Sequence, residues 1–198
     1  MAQNITPESL ISILAAALAQ KPTKPLVLAL DGRCGSGKTT LADRLTRQFP
    51  ASIVLHTDDF YLPPAQRVRS WEKTPCANMD LIRLRDEALR PAYEGQPVLY
   101  RAYSCRAGAY QPVQELAAQP LVILEGSYSL HPALQTEFAV RVFVTCPPDV
   151  QAARLKAREG TRYANFVQRW IPLEEGYFAA HDPAARCDFV LDTAEIFV

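Results

Sequence analysis

Five apolar runs separated by helical patterns predict an α/β protein with a mainly parallel, five-stranded, doubly wound sheet. Three observations carry this. The runs at 26–30, 52–57, 121–124, 140–144 and 188–191 are rich in Val, Leu, Ile and Phe without strict alternation, as in strands covered on both faces. Helical segments lie between most of them. The first run leads straight into a glycine-rich turn, Asp31-Gly-Arg-Cys-Gly-Ser-Gly-Lys-Thr-Thr40, which is followed by another helical pattern.

Each element has a local reason. Thr6-Pro7-Glu8 starts a helix: a capping hydroxyl, a proline in the first turn and an acid near the positive end. That helix runs to about Gln20, and the proline-containing stretch 21–25 ends it, so residues 1–24 form an N-terminal helix and linker. After the glycine-rich turn, Leu41, Leu45 and Phe49 recur every four residues and give a helix one apolar face. Residues 63–78 read as a long irregular surface segment, 79–90 as a helix, and 97–103 with 109–113 as a small hairpin. Two helices follow the fourth strand, at 149–158 and 163–180. The chain reads as one domain over 1–198, with insertions at about 60–115 and a lid at about 150–165.

The turn contains Gly32-x-x-x-x-Gly37-Lys38-Thr39, the Walker A pattern, between a strand and a helix. The fold expectation therefore sharpens to the three-layer α/β/α P-loop NTPase class. Gly32, Arg33, Cys34, Gly35, Ser36, Gly37, Lys38, Thr39 and Thr40 form the expected ATP contact. Successive N–H groups make a concave nest for phosphate, and the helix adds its positive end. Lys38 reaches the β- and γ-phosphates, and Thr39 offers a hydroxyl to Mg²⁺.

Composition narrows the partners. The 198 residues are 48% hydrophobic, with 21 Lys+Arg against 21 Asp+Glu, so nothing favours nucleic acid or an anionic membrane. No apolar run has the length of a membrane span, and no basic segment precedes the short apolar stretch 11–19. The five cysteines contain no C-x-x-C, which argues against zinc and fits a reducing cytoplasm. Cys34 lies beside Lys38 and a helix start, both of which can lower a thiol pKa; the alternative is a small residue that simply fits the loop. The sequence carries no signature of an oligomeric state.

In doubly wound sheets, ligands lie beyond the carboxyl ends of the strands. Those ends here carry Asp31-Gly32, Asp58-Asp59 and Glu125-Gly126, so acids converge on the phosphate loop's side. One such carboxylate can deprotonate an acceptor hydroxyl, and another can hold Mg²⁺.

With these residues in place, the chain resembles the uridine kinase-like branch of the P-loop kinases and, more distantly, phosphoribulokinase and bacterial pantothenate kinase. The resemblance runs from about Leu26 to the last strand. Its motifs are the 31–40 turn, Thr57-Asp-Asp-Phe-Tyr-Leu-Pro63, Asn78-Met-Asp80, Tyr100-Arg-Ala-Tyr-Ser-Cys-Arg106, Leu124-Glu-Gly-Ser-Tyr-Ser-Leu-His-Pro132 and the stretch Arg154 to Arg162. It implies a phosphotransferase using ATP and Mg²⁺, with a hydroxyl-bearing small molecule as acceptor. By position it makes Asp58 the base, close to the metal, and Glu125 a second metal-associated acid. Tyr61, Asp80, Tyr103 and Arg106 fall on the acceptor side, and Arg154, Arg158 and Arg162 fall in the lid. The segment Tyr103-Ser-Cys-Arg106 departs from the uridine kinase pattern, lacking its Asp after the tyrosine and its His before the arginine.

Tyr61, Trp71, Tyr100 and Tyr110 can stack on a planar acceptor. The segment 170–178 reads as packing with Glu174 and Glu175 on its wet side, and His56, His131 and His181 as structural histidines. The competing function is a P-loop ATPase or nucleotide-binding regulatory module acting on a macromolecule. No N-K-x-D element supports a GTPase.

Overall fold

A computed structural model describes residues 2–134 and 137–196. The strands are β1 (Gln3–Asn4), β2 (Leu26–Gly32), β3 (Ser52–His56), β4 (Val98–Tyr100), β5 (Tyr103–Ser104), β6 (Ala109–Tyr110), β7 (Gln114–Leu116), β8 (Leu121–Glu125), β9 (Val140–Thr145) and β10 (Phe189–Asp192). The helices are α1 (Pro7–Ala19), α2 (Lys38–Gln48), α3 (Leu81–Arg83), α4 (Arg90–Tyr93), α5 (Pro148–Glu159), α6 (Tyr163–Asn165), α7 (Ile171–His181) and α8 (Pro183–Arg186). Short π-helical stretches, Leu84–Leu89 and Phe166–Trp170, join α3 to α4 and α6 to α7.

The main sheet has the order β1-β10-β9-β2-β8-β3, and every pairing in it is parallel. It has six strands rather than the expected five. The extra strand is the two-residue β1, whose Gln3 and Asn4 pair with Phe189 and Val190. A pair of polar residues has no apolar pattern to announce it. The small hairpin is also two pieces: β4 pairs with β7, and β5 with β6 inside it.

Alternating side chains of the central strands face two layers. Leu28, Leu30, Ile123 and Val142 pack with Leu10 and Leu14 of α1 and Leu41 and Leu45 of α2. On the other face Val27, Val122 and Leu124 pack with Leu84, Leu89, Phe60 and Tyr177. The α1 start is capped as its sequence implies, with the Thr6 hydroxyl accepting from the Ser9 N–H. No described helix is long and apolar enough to cross a membrane.

β2 lies between β8 and β9, while its own connection through α2 leads to β3 beyond β8. Strand order therefore reverses beside β2, and the crevice at its carboxyl end is where such a sheet offers a binding site.

Candidate active site

The phosphate loop spans the turn from β2 to α2. At Gly32 the backbone has φ +136°, and any Cβ would collide with the Val144 carbonyl of neighbouring β9, so only glycine fits. Gly37 caps α2 in a left-handed conformation and brings no side-chain cap, leaving the first N–H groups of the helix facing the crevice. Lys38, 7% exposed, donates from Nζ to the carbonyls of Gly32 at 2.7 Å and Arg33 at 2.8 Å. The outer side of the loop is braced. Gln151 of α5 donates to the Cys34 carbonyl at 2.8 Å, and the Thr193 hydroxyl donates to the Ser36 carbonyl at 2.6 Å.

Thr39 places its hydroxyl 3.4 Å from both carboxylate oxygens of Glu125, which ends β8 and is 6% exposed. His56 ends the adjacent strand, with Nδ1 2.5 Å from Glu125 Oε1. Asp58 follows in a 3-10 turn, Thr57–Phe60, and accepts from the Tyr61 hydroxyl at 3.2 Å. Desolvation by the surrounding walls, and then the charge of Glu125, raise the Asp58 pKa from the ordinary carboxylate value. The side chain still opens onto the cleft, so desolvation is incomplete and the neighbouring charge is the firmer contribution.

Behind these acids lies Asp31, fully buried. Its carboxylate accepts from the N–H groups of Gly32 (2.6 Å), Tyr128 (3.2 Å) and Leu130 (2.9 Å) and from the Tyr177 hydroxyl (2.6 Å). Four donors thus knit the ends of β2 and β8 to α7. Gly126 makes the approach feasible: its φ is +128°, and a Cβ there would collide with the Thr57 hydroxyl.

The cleft has a volume of about 370 Å³. Phosphate-loop residues Cys34, Gly35, Gly37, Lys38, Thr39 and Thr40 line it, as do Asp58, Tyr61 and Glu125. Arg154 and Arg158 enter from α5. Arg154 donates to the Thr193 hydroxyl at 2.8 Å and carbonyl at 2.7 Å, which ties it to the brace under Ser36. Arg158 rests over the Phe166 ring at 5.5 Å. Arg162 does not reach the cleft; it is 71% exposed and pairs with Glu159 at 3.2 Å. Arg33 turns outward to pair with Glu175 of α7. Ser36 is buried in the loop's underside and Gly32 in the sheet, so these two shape the nest without lining it.

The acceptor-side residues divide. Tyr61 lines the cleft. Asp80 instead caps α3, accepting from the Arg83 N–H at 3.1 Å and lying 3.5 Å from its guanidinium. Tyr103 is 4% exposed against the Tyr110 ring, and Arg106 lies exposed outside the cleft. Tyr100 is likewise committed, donating to Asp59 at 2.7 Å. Trp71 packs on Trp170, and Trp170 on Tyr61, so the aromatic wall comes partly from the far helix.

Three neighbours of the candidate site escape the sequence. Glu174 is not on a wet face: it is 5% exposed, lines the cleft and accepts from the Cys34 N–H at 3.0 and 3.1 Å and from the Ser127 hydroxyl. Ser127 and His56 are the others. The local pattern Leu-Glu-Glu-Gly reads as surface, and only the Tyr177 anchor one turn on turns Glu174 inward. The first reading of Cys34, a lowered thiol pKa, is reversed. Burial first, and then the charge of Glu174, push its thiol pKa well up.

The donors fit the ligands that the loop implies. Thr39, Glu125 and Asp58 offer hard oxygens, as Mg²⁺ prefers. Among the described residues no group of three His, Cys, Asp or Glu could hold a metal alone. An ion here would complete its shell with phosphate oxygens and water. The uncapped α2 start with an ammonium beside it suits a polyphosphate.

No protein-family model matches this sequence. Several solved structures are similar. A possible uridine kinase from Bacillus stearothermophilus superposes with TM-score 0.70 at 23% identity, covering 93% of this chain and 98% of that one. A Silicibacter protein, provisionally named a fructose transport system kinase, gives 0.66 at 20% identity, covering 95% and 99%. D-glycerate 3-kinase from Cryptococcus neoformans gives 0.57 at 17%, covering 87% and 88%. The chain therefore shares the fold of these structures, a three-layer α/β/α P-loop NTPase fold with a mainly parallel, doubly wound sheet.

Proposed function

We propose that the protein is a small-molecule kinase that transfers the γ-phosphoryl group of ATP to a hydroxyl. The observation that carries this reading is the convergence of Lys38, Thr39, Asp58, Glu125 and Arg158 on one cleft. A nucleotide switch needs the loop and the metal acid; an acceptor-facing base with a hydrogen-bonding tyrosine suits transfer to an alcohol.

In this reading the loop N–H groups and Lys38 hold the donor phosphates. Thr39 and Glu125, with Asp58 close by, would hold Mg²⁺, which when bound would neutralise charge on the phosphate oxygens. Asp58 takes the acceptor's proton as the acceptor oxygen bonds to phosphorus and the bond to the β,γ-bridging oxygen breaks, releasing ADP. Tyr61 steadies Asp58, and Arg158 faces the charge that develops on the transferring group. The similar proteins carry names for uridine, fructose-transport and D-glycerate kinases, which supports a hydroxyl acceptor and leaves its class at a nucleoside or similar metabolite. Asp80 and Tyr103 are engaged within the protein, so a nucleoside would have to be read by the Tyr61–Trp170 wall instead.

The test is ADP release measured with a panel of nucleosides, sugars and hydroxy acids. Stimulation by at least one acceptor, with a phosphorylated product, is expected. A steady hydrolysis indifferent to every acceptor would favour an ATPase or regulatory module.

A further inference from the structure

Helix α7 sends Glu174 into the cleft and, one turn later, Tyr177 into the core behind it. The Tyr177 hydroxyl donates to buried Asp31 at 2.6 Å, which fixes the helix against the end of β2. Glu175 and Phe178 hold Arg33 from the same helix, so the tip of the phosphate loop is clasped on two sides. In this frame the Glu174 carboxylate takes the Cys34 N–H and the Ser127 hydroxyl. The Ser127 hydroxyl, donating to Glu174, also lies 3.1 Å from the Gly32 carbonyl, the same oxygen that Lys38 meets at 2.7 Å. Glu174 thus lies at the junction of the loop, the lysine and the β8 acid segment, and its charge is felt at Asp58.

That place is specific. The α2 start, Lys38 to Thr40, forms the end of the nest nearest the β-phosphate. Cys34 lies on the opposite arm, bridged by Glu174 to Ser127, and both line the cleft across which the terminal phosphoryl group must reach an acceptor at Asp58. A carboxylate accepting an N–H and an O–H there presents the same chemistry as phosphoryl oxygens.

Building on the kinase reading, we propose that Glu174 is the residue by which the site distinguishes a triphosphate from a diphosphate: it and the γ-phosphoryl group compete for the Cys34 N–H and the Ser127 hydroxyl. A diphosphate leaves Glu174 seated. A triphosphate must turn the carboxylate away, against both the lost hydrogen bonds and the repulsion of like charges. Once the γ-phosphoryl group has moved to the acceptor, Glu174 reclaims its donors and opposes rebinding of the transferred group in the loop.

The experiment is calorimetric titration of the full chain with the magnesium complexes of the β,γ-imido analogue of ATP and of ADP, for wild type and Glu174→Gln. The glutamine keeps the size and one acceptor oxygen but removes the charge. Triphosphate binding is expected to tighten about tenfold while ADP binding stays within about twofold. Equal tightening of both, no change, or weaker triphosphate binding would each overturn the proposal. The wild-type Cys34 amide resonance reads the same exchange without a substitution. It should shift with the triphosphate analogue and hold still with ADP; equal shifts, or none, overturn the proposal even if Glu174→Gln folds poorly. Wild type that binds neither nucleotide would bring down the kinase reading as well, whereas wild type that binds both, with Glu174→Gln changing both alike, brings down this inference alone.

Discussion

His56 and Glu125 are register partners on adjacent parallel strands, and their side chains meet at 2.5 Å from Nδ1 to Oε1. The contact aims the carboxylate at Thr39. The Glu125 hydrogen bond raises the His56 pKa above its ordinary value of 6.5, against an opposing effect of burial. The folded state therefore holds the proton more tightly, and the pair's stabilisation is complete below the unfolded pKa and lost as pH rises through the raised one. We expect the melting-temperature gap between wild type and His56→Gln to be largest near pH 6 and to shrink by pH 9. A gap independent of pH would show that the ion pair contributes nothing. The imidazole is 38% exposed, so the effect should be small.

Asp58 must be ionised to accept a proton. Its pKa is raised by desolvation and by Glu125, so kcat/KM should hold above that raised value and fall about tenfold per pH unit below it. Asp58→Asn should lose roughly 10²–10⁴ in turnover at every pH while nucleotide still binds without metal. Full activity in that variant would remove Asp58 from the base role. Lys38→Ala should lose both turnover and nucleotide affinity, because the ammonium serves ground state and transition state alike.

The three lid arginines should separate cleanly. Arg158 lines the cleft and Arg162 does not. Arg158→Ala is expected to reduce kcat by roughly 10²–10³ with little change in fold. Arg162→Ala should stay within about twofold, as expected for an exposed partner of Glu159. Arg154→Ala should act indirectly, through the Thr193 brace on Ser36, and raise the KM for nucleotide.

Asp31 faces only donors: three N–H groups and the Tyr177 hydroxyl. Asp31→Asn turns an NH₂ toward at least one of them and should cost about 2–4 kcal/mol. Tyr177→Phe should cost about 1–3 kcal/mol. Urea denaturation midpoints check both, and a neutral Asp31→Asn would mean that the network has another satisfied arrangement.

The sequence alone determined the class of fold, because a buried parallel sheet needs continuous apolar runs and the Walker turn needs glycines at fixed spacing. It determined the phosphate loop for the same reason: backbone N–H groups and a helix start are local features. Asp58 and Glu125 were legible because the strands that carry them end where the loop does. What only the tertiary structure decided depends on chain segments far apart in sequence. The two-residue β1 exists only as a partner of β10, and Asp80 is drawn from the cleft by the cap that it makes on α3. Glu174 enters the site because Tyr177, one turn further, finds a buried carboxylate 146 residues away. No local pattern encodes which face of α7 meets the sheet, since that face is set by packing and by the hydrogen bonds that burial makes obligatory.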